Sequence, residues 1–188
     1  MHYPPTPPDS EVIIEFYPEK CKACGVCERA CRDVHHFPAG SANCAVYAIL
    51  KDGSIVKTHP KKKIPKEQIE RLVHLTCFQC LEPYCMKACP TGAIRRDGGM
   101  VIVEERLCIG CKACLTACPW GIPWLNPKTN KISKCDLCRT LSLGIPACVS
   151  MCPTRALHVR WKVKRPYEDF IEILKEQLIY QAAGSASK

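Results

Sequence analysis

Sixteen of the chain's 17 cysteines fall into four groups that share one internal spacing logic. The first group is Cys21-x2-Cys24-x2-Cys27-x3-Cys31 and the second is Cys77-x2-Cys80-x4-Cys85-x3-Cys89-Pro90. The third is Cys108-x2-Cys111-x2-Cys114-x3-Cys118-Pro119, and the fourth is Cys135-x2-Cys138-x9-Cys148-x3-Cys152-Pro153. A tight C-x2-C-x2-C loop wraps three corners of an iron–sulfur cubane with its amides turned toward sulfur, but it cannot reach the fourth corner without strain. The x3 cysteine points away and ligates a second cluster where two clusters share a module. A proline after that cysteine cannot continue a helix, so the chain turns away there. The chemistry implied is one-electron transfer.

Other uses of cysteine fit less well. Structural zinc sites use pairs of C-x2-C units about a dozen or more residues apart, and the triplets at 21–27 and 108–114 carry one thiol too many. A disulfide framework needs an oxidising compartment, and the N-terminal residues lack the charged and apolar segments of a secretory leader. The expected location is therefore cytoplasmic. No apolar run approaches the roughly 20 residues that span a bilayer, so no direct membrane insertion is expected.

At 188 residues the chain is one domain or two small fused ones. Its hydrophobic fraction of 47 % includes the 17 cysteines, which leaves a modest supply for a core. Cluster ligation is expected to supply much of the folding free energy. The formal charge of +9 suggests nucleic acid at first sight. Four oxidised cubanes with their thiolates contribute roughly −8, so the basic excess mostly balances the cofactors and nucleic acid is not an expected partner.

The elements that must position these loops are short. Residues 12–16 (VIIEF) and 156–161 (ALHVRW) read as strands able to pair at one end of the protein. Residues 91–103 read as a hairpin with a Gly-rich turn, and 122–133 as a second one turning at 126–130. Residues 64–74 read as a helix with Ile69, Leu72 and Val73 on one face. Residues 167–182 place Phe170, Ile173, Leu174 and Leu178 at helical spacing. The Lys61, Lys62, Lys63 run reads as a solvated loop that could steer an acidic redox partner. His35 and His36 read as solvated loop residues, and Cys44 as a buried, inert thiol. Trp120, Trp124 and Trp161, near motif ends, read as packing that excludes water. The sequence has no Gly-rich dinucleotide fingerprint and no phosphate loop, so the chain itself is expected to catalyse nothing.

The order and spacing of the four motifs resemble the four-cluster ferredoxin-like iron–sulfur subunits of molybdenum and tungsten oxidoreductases, such as those of dimethyl sulfoxide reductase and formate dehydrogenase. Similar electron-transfer proteins serve carbon monoxide dehydrogenases, hydrogenases and tungsten aldehyde oxidoreductases. The resemblance covers residues about 12–162. It implies an α+β fold of two pseudo-symmetric bacterial-ferredoxin-like modules, one from the inner motifs and one from the outer. It also implies four [4Fe-4S] clusters in four ligand sets: Cys21, Cys24, Cys27 with Cys152; Cys135, Cys138, Cys148 with Cys31; Cys77, Cys80, Cys85 with Cys118; and Cys108, Cys111, Cys114 with Cys89. The 18 residues between Cys89 and Cys108 agree with the inner pairing, because that is a hairpin's length. One departure is that Arg32, not proline, follows Cys31.

The implied organisation is a proline-rich arm at 1–11, a four-cluster domain at 12–162 with an insert at 32–76, an amphipathic helix at 163–182 and a tail at 183–188. The implied function is an electron-transfer subunit bound to a catalytic oxidoreductase subunit, with a further electron-accepting subunit or ferredoxin as second partner. A free-standing polyferredoxin shuttle is the alternative.

Overall fold

A computed structural model describes residues 10–59, 64–141 and 144–163. The expected arm at 1–11 lies mostly outside the described residues, as do the Lys61–63 run, the helix at 163–182 and the tail. The rest is an α+β arrangement of four small antiparallel sheets and four short helices.

The first strand, β1 (Ser10–Phe16), begins before residue 12 and takes in part of the expected arm. It pairs along its whole length with the last strand, here β9 (Leu157–Val163), in the register Ile14↔Val159. Alternation explains the pairing: Val12 and Ile14 are buried while Ile13 and Glu15 are less so, the pattern of a sheet with one face on a core. Glu15 then reaches Arg160 at 2.9 Å across the sheet. The two expected hairpins form as β5 (Ile94–Asp97) with β6 (Met100–Val103), and β7 (Trp124–Asn126) with β8 (Lys131–Ser133).

The expected helix at 64–74 is not there. After a single 3-10 turn, Lys66–Gln68, the chain runs as β4 (Ile69–Thr76). It pairs with β2 (Cys44–Leu50), which also pairs with β3 (Ile55–Lys57) to give a sheet of order β3-β2-β4. Both faces of β4 are covered. His74 and Thr76 are buried on the side they share with Val46 and Cys44, while Val73 is buried on the other. Leu75 packs on Phe78. A strand covered on both faces loses its two-residue alternation, so a short apolar run mimics a helical stripe. The partner strand decides between them. Its alternating burial at Cys44, Val46 and Ala48 lies within the insert expected at 32–76.

Four helices carry cysteines: α1 (Val26–Val34), α2 (Tyr84–Lys87), α3 (Ala113–Ala117) and α4 (Ala147–Ser150). α1 packs on α4, and α2 on α3. The main core mixes Val12, Ile14, Met100 and Leu157 with buried cysteines, so thiols stand where aliphatic side chains usually do.

Val46 is 2 % exposed and faces the core from β2. Val46→Ala should cost about 2 kcal/mol and lower the guanidinium concentration at which the visible chromophore bleaches. An unchanged midpoint would mean that this sheet does not support the core.

Candidate iron–sulfur site

All four motifs share one local geometry. The residue before the second cysteine has left-handed φ each time: Ala23 at 50°, Gln79 at 52°, Gly110 at 70° and Leu137 at 57°. Three of the four are not glycine, and each costs about 1–2 kcal/mol of backbone strain. The turn aims amides inward. The N–H of Ala23 donates to Cys21 Sγ at 3.4 Å, and that of Leu137 to Cys135 Sγ at 3.4 Å. Further amides approach sulfur from outside the loops: Asn43 to Cys31 (3.3 Å), Ile132 to Cys108 (3.4 Å) and Ala156 to Cys152 (3.2 Å). Donors of this kind favour the anionic form of sulfur.

The 3-10 turns Pro18–Lys20 and Glu105–Leu107 deliver the first cysteines of the first and third motifs. In each, the cysteine amide closes the turn, Cys21 onto the Pro18 carbonyl and Cys108 onto that of Glu105. The chain leaving the fourth motif bonds the entrance to the first through Tyr17 N–H to the Ala156 carbonyl. The chain leaving the second does the same for the third through Glu104 N–H to Ala93.

The fold brings thiols together across motifs. Burial raises the pKa of Cys21, its own Ala23 amide opposes, and Cys27, Cys24 and Cys152 add repulsion. These four cysteines, with Phe16 and His74, line one small cavity. Burial pushes Cys80 up to about 12, with Cys77, Cys85 and Cys118 adding like charge. Burial likewise takes Cys138 to about 12, with Cys148 and Cys31 among its neighbours. Cys135 is raised by burial and by the same two thiols. Cys114 rises to about 11 through burial, then Cys85, Cys108 and Cys111. Cys89 packs on the same small core as Cys108 and Cys114. Burial opposes its ionisation, but the amides of Ile94, Thr91 and Ala93 and the Thr91 hydroxyl hold its pKa below the usual thiol range.

One residue departs from its sequence reading, and two others gain neighbours that the sequence did not show. His35 is not a solvated loop residue: its side chain is 11 % exposed, stacks on Phe37 and places Nε2 3.7 Å from Cys138 Sγ. Burial lowers its pKa while Asp136 pulls the other way. His36 is exposed, as expected. Cys44 is buried, yet it is not isolated. Its thiol donates to the Cys27 carbonyl at 3.6 Å and touches the sulfurs of Cys148, Cys27 and Cys31, which push its pKa well up. His74, which had no reading from sequence, lies with Cys27 and Cys44 in one buried group whose ligand atoms fall within 4.8 Å of one another. Neither ring nitrogen of His74 meets hydrogen-bond geometry. Cys44 first, then His74 against the effect of burial, bring Cys27 down to about 4. Thus the sheet β3-β2-β4 lays Cys44, His74 and Thr76 over the outer cysteines. The exit from Cys31 follows from its missing proline: α1 continues through Cys31 to Val34 and ends at His35.

The tryptophans pack as expected where described. Trp124 donates to Asn43 Oδ1 at 2.8 Å and meets Phe37 edge-on, and Trp120 meets Phe78 edge-on.

These residues fit iron–sulfur clusters. Burial makes Cys80, Cys114, Cys135 and Cys138 resist ionisation, so anionic sulfur there needs a cation, and soft thiolates suit iron. Cys21, Cys24, Cys27 and Cys152 line one small cavity, and beside it neither ring nitrogen of His74 meets hydrogen-bond geometry.

The domain family described as "4Fe-4S dicluster domain" matches residues 71–161, and a "4Fe-4S binding domain" matches 18–34. Protein NrfC of Escherichia coli K12 is 32 % identical over 86 % of this chain and 70 % of its own length. The thiosulfate reductase electron transfer subunit PhsB of Salmonella typhi is 35 % identical over 74 % and 70 %. The ferredoxin-like protein YdhX of E. coli K12 is 37 % identical over 73 % and 60 %. Among the described residues, no helix is long and apolar enough to cross a membrane.

Two outcomes test this site. A Cβ at Gly110 would both collide with the Asn130 carbonyl oxygen and occupy left-handed φ. Gly110→Ala should therefore destabilise the loaded protein by about 2 kcal/mol or more and lower the iron and sulfide recovered per chain; full loading at wild-type stability would contradict the turn geometry. Stripping iron with a chelator under reducing conditions should abolish near-UV circular dichroism, because cysteines make up so much of the core. A retained native spectrum would show that the core stands without metal.

Proposed function

The chain belongs to the family of 4Fe-4S ferredoxin-like electron-transfer proteins that includes NrfC and PhsB, and from that membership we propose that it is the electron-relay subunit of an oxidoreductase complex. In this reading it holds four [4Fe-4S] clusters in the ligand sets Cys21/Cys24/Cys27/Cys152, Cys135/Cys138/Cys148/Cys31, Cys77/Cys80/Cys85/Cys118 and Cys108/Cys111/Cys114/Cys89. The observation that carries it is the crossing of motifs, with α1 packed on α4 and α2 on α3. Each cubane, when bound, accepts and releases one electron. The chain's own work is to hold the sulfurs, aim amides at them and keep water away.

Two pseudo-symmetric modules follow. The outer one is closed by β1–β9 and the inner one by β5–β6, with the matching entrance bonds Tyr17 to Ala156 and Glu104 to Ala93. Burial supports a spatial order. Cys24 and Cys111 are exposed, whereas Cys31, Cys135, Cys138 and Cys148 are all buried. The sets containing Cys24 and Cys111 then form the two ends of a line, and the other two sets its middle. Exposed Leu107 and Ile109 flank Cys108 at one end, a surface suited to a partner protein.

The name of PhsB supports a catalytic partner, and a molybdenum or tungsten oxidoreductase is the type proposed. A carbon monoxide dehydrogenase or a hydrogenase is the next choice. The chain itself is proposed to be non-catalytic, the four-cluster domain to span residues 12–162, and the location to be the cytoplasm. A free-standing shuttle is the second reading. The two separate on purification from the native host: co-elution with a large subunit is expected, and a lone monomer would overturn the subunit reading.

The ligand sets are tested by counting iron. Cys31→Ala and Cys135→Ala, placed in one set, should each remove about four irons, and the double variant still about four. Cys27→Ala with Cys31→Ala, neighbours in one motif but in different sets, should remove about eight. The reverse pattern would overturn the crossed pairing.

A further inference from the structure

Two buried polar side chains join the second motif to the fourth. Lys134 is 4 % exposed, and its ammonium donates to Cys77 Sγ at 3.3 Å, to the Cys135 carbonyl at 3.0 Å and to the Val101 carbonyl. Gln79 has no exposed surface; its Nε2 donates to the Cys135 carbonyl at 2.9 Å, and its Oε1 accepts from Val101 N–H at 2.7 Å. Lys134 precedes Cys135 and Gln79 precedes Cys80, so each side chain leaves one ligand loop and grips the other. The two converge on one carbonyl, that of Cys135. A buried ammonium is retained only when an anion pairs with it, and Cys77 sulfur is the anionic group that Lys134 reaches.

We propose that Lys134 sets the reduction potential of the site containing Cys77, and that Gln79 and Lys134 together form the polar connection between the two middle sites of the relay. The inference rests on the four-cluster reading. Adding one electron to the Cys77 site increases its negative charge by one, and a hydrogen-bonded cation stabilises the reduced form over the oxidised form. Hydrogen bonds to sulfur act in the same direction. Exchange between the middle sites then oxidises one by a single electron and reduces the other by one, with no bond made or broken. Gln79 adds no charge. It fixes the distance, holding the Cys80 loop against the carbonyl of a ligand of the neighbouring site. Lys134 is thus a tuning residue and Gln79 a positioning residue.

The test is an anaerobic redox titration followed by EPR on wild type, Lys134→Met and Lys134→Arg. In Lys134→Met, one of the four transitions should move to lower potential by at least tenfold in its equilibrium constant, about 59 mV for one electron. Iron content and the other three transitions should hold, and Lys134→Arg should recover part of the shift. Four unmoved transitions in a fully loaded Lys134→Met would overturn the inference and leave the four-cluster reading intact. Wild type without four transitions would sink that reading, and the inference with it. A second measurement needs no variant: wild-type protein labelled with [ε-15N]lysine should show a nitrogen coupling on one reduced signal by pulsed EPR. Its absence would overturn the role of Lys134 even if Lys134→Met failed to fold.

Discussion

Crowded sulfur is the constraint on which the rest of this protein depends. Burying several thiols within reach of one another makes most of them harder to ionise, and burial with neighbouring thiols takes Cys80 and Cys138 to about 12. Such sites stay folded around anionic sulfur only if a cation shares the space. The unusual features of the fold serve that end: a left-handed residue before each second cysteine, strained in three of the four motifs, amides turned toward sulfur, and a core whose bulk is partly cysteine. Ligation is the source of free energy that offsets the backbone strain at Ala23, Gln79 and Leu137.

The two halves of the molecule meet this constraint differently. The inner cysteines are wrapped closely by a hairpin and two short helices, with Cys111 left at the surface. The outer cysteines receive an extra lid, the sheet β3-β2-β4. Its underside brings Cys44, His74 and Thr76 against sulfur. The lid explains how Cys31 works without a following proline: α1 runs on, and the chain returns as β2 to supply an amide at Asn43. Protein donors, not solvent, therefore surround the most buried thiols.

Much of this was legible in the sequence, for a physical reason. Cysteine spacing is a local property, and the alternation at Val12–Phe16 and the Gly-rich turn near Gly98 are local as well. The expected strand pair and both hairpins accordingly appear. The lid was not legible. β4 is covered on both faces, which erased its two-residue period, and the identity of its partner β2 is a long-range fact. His35 was misread for the same reason, since it acquires its neighbours from distant segments, and the burial expected of Cys44 is found. Lys134 and Gln79 gave one usable signal, their position directly before motif cysteines. Their burial and their shared carbonyl are visible only in three dimensions.

The most direct measurement is anaerobic analysis of iron, acid-labile sulfide and zinc per chain, with EPR before and after dithionite. The account predicts about sixteen irons and as many sulfides, no stoichiometric zinc, and reduced spectra broadened by spin coupling between neighbouring clusters. Stoichiometric zinc with no EPR signal would contradict it at the root.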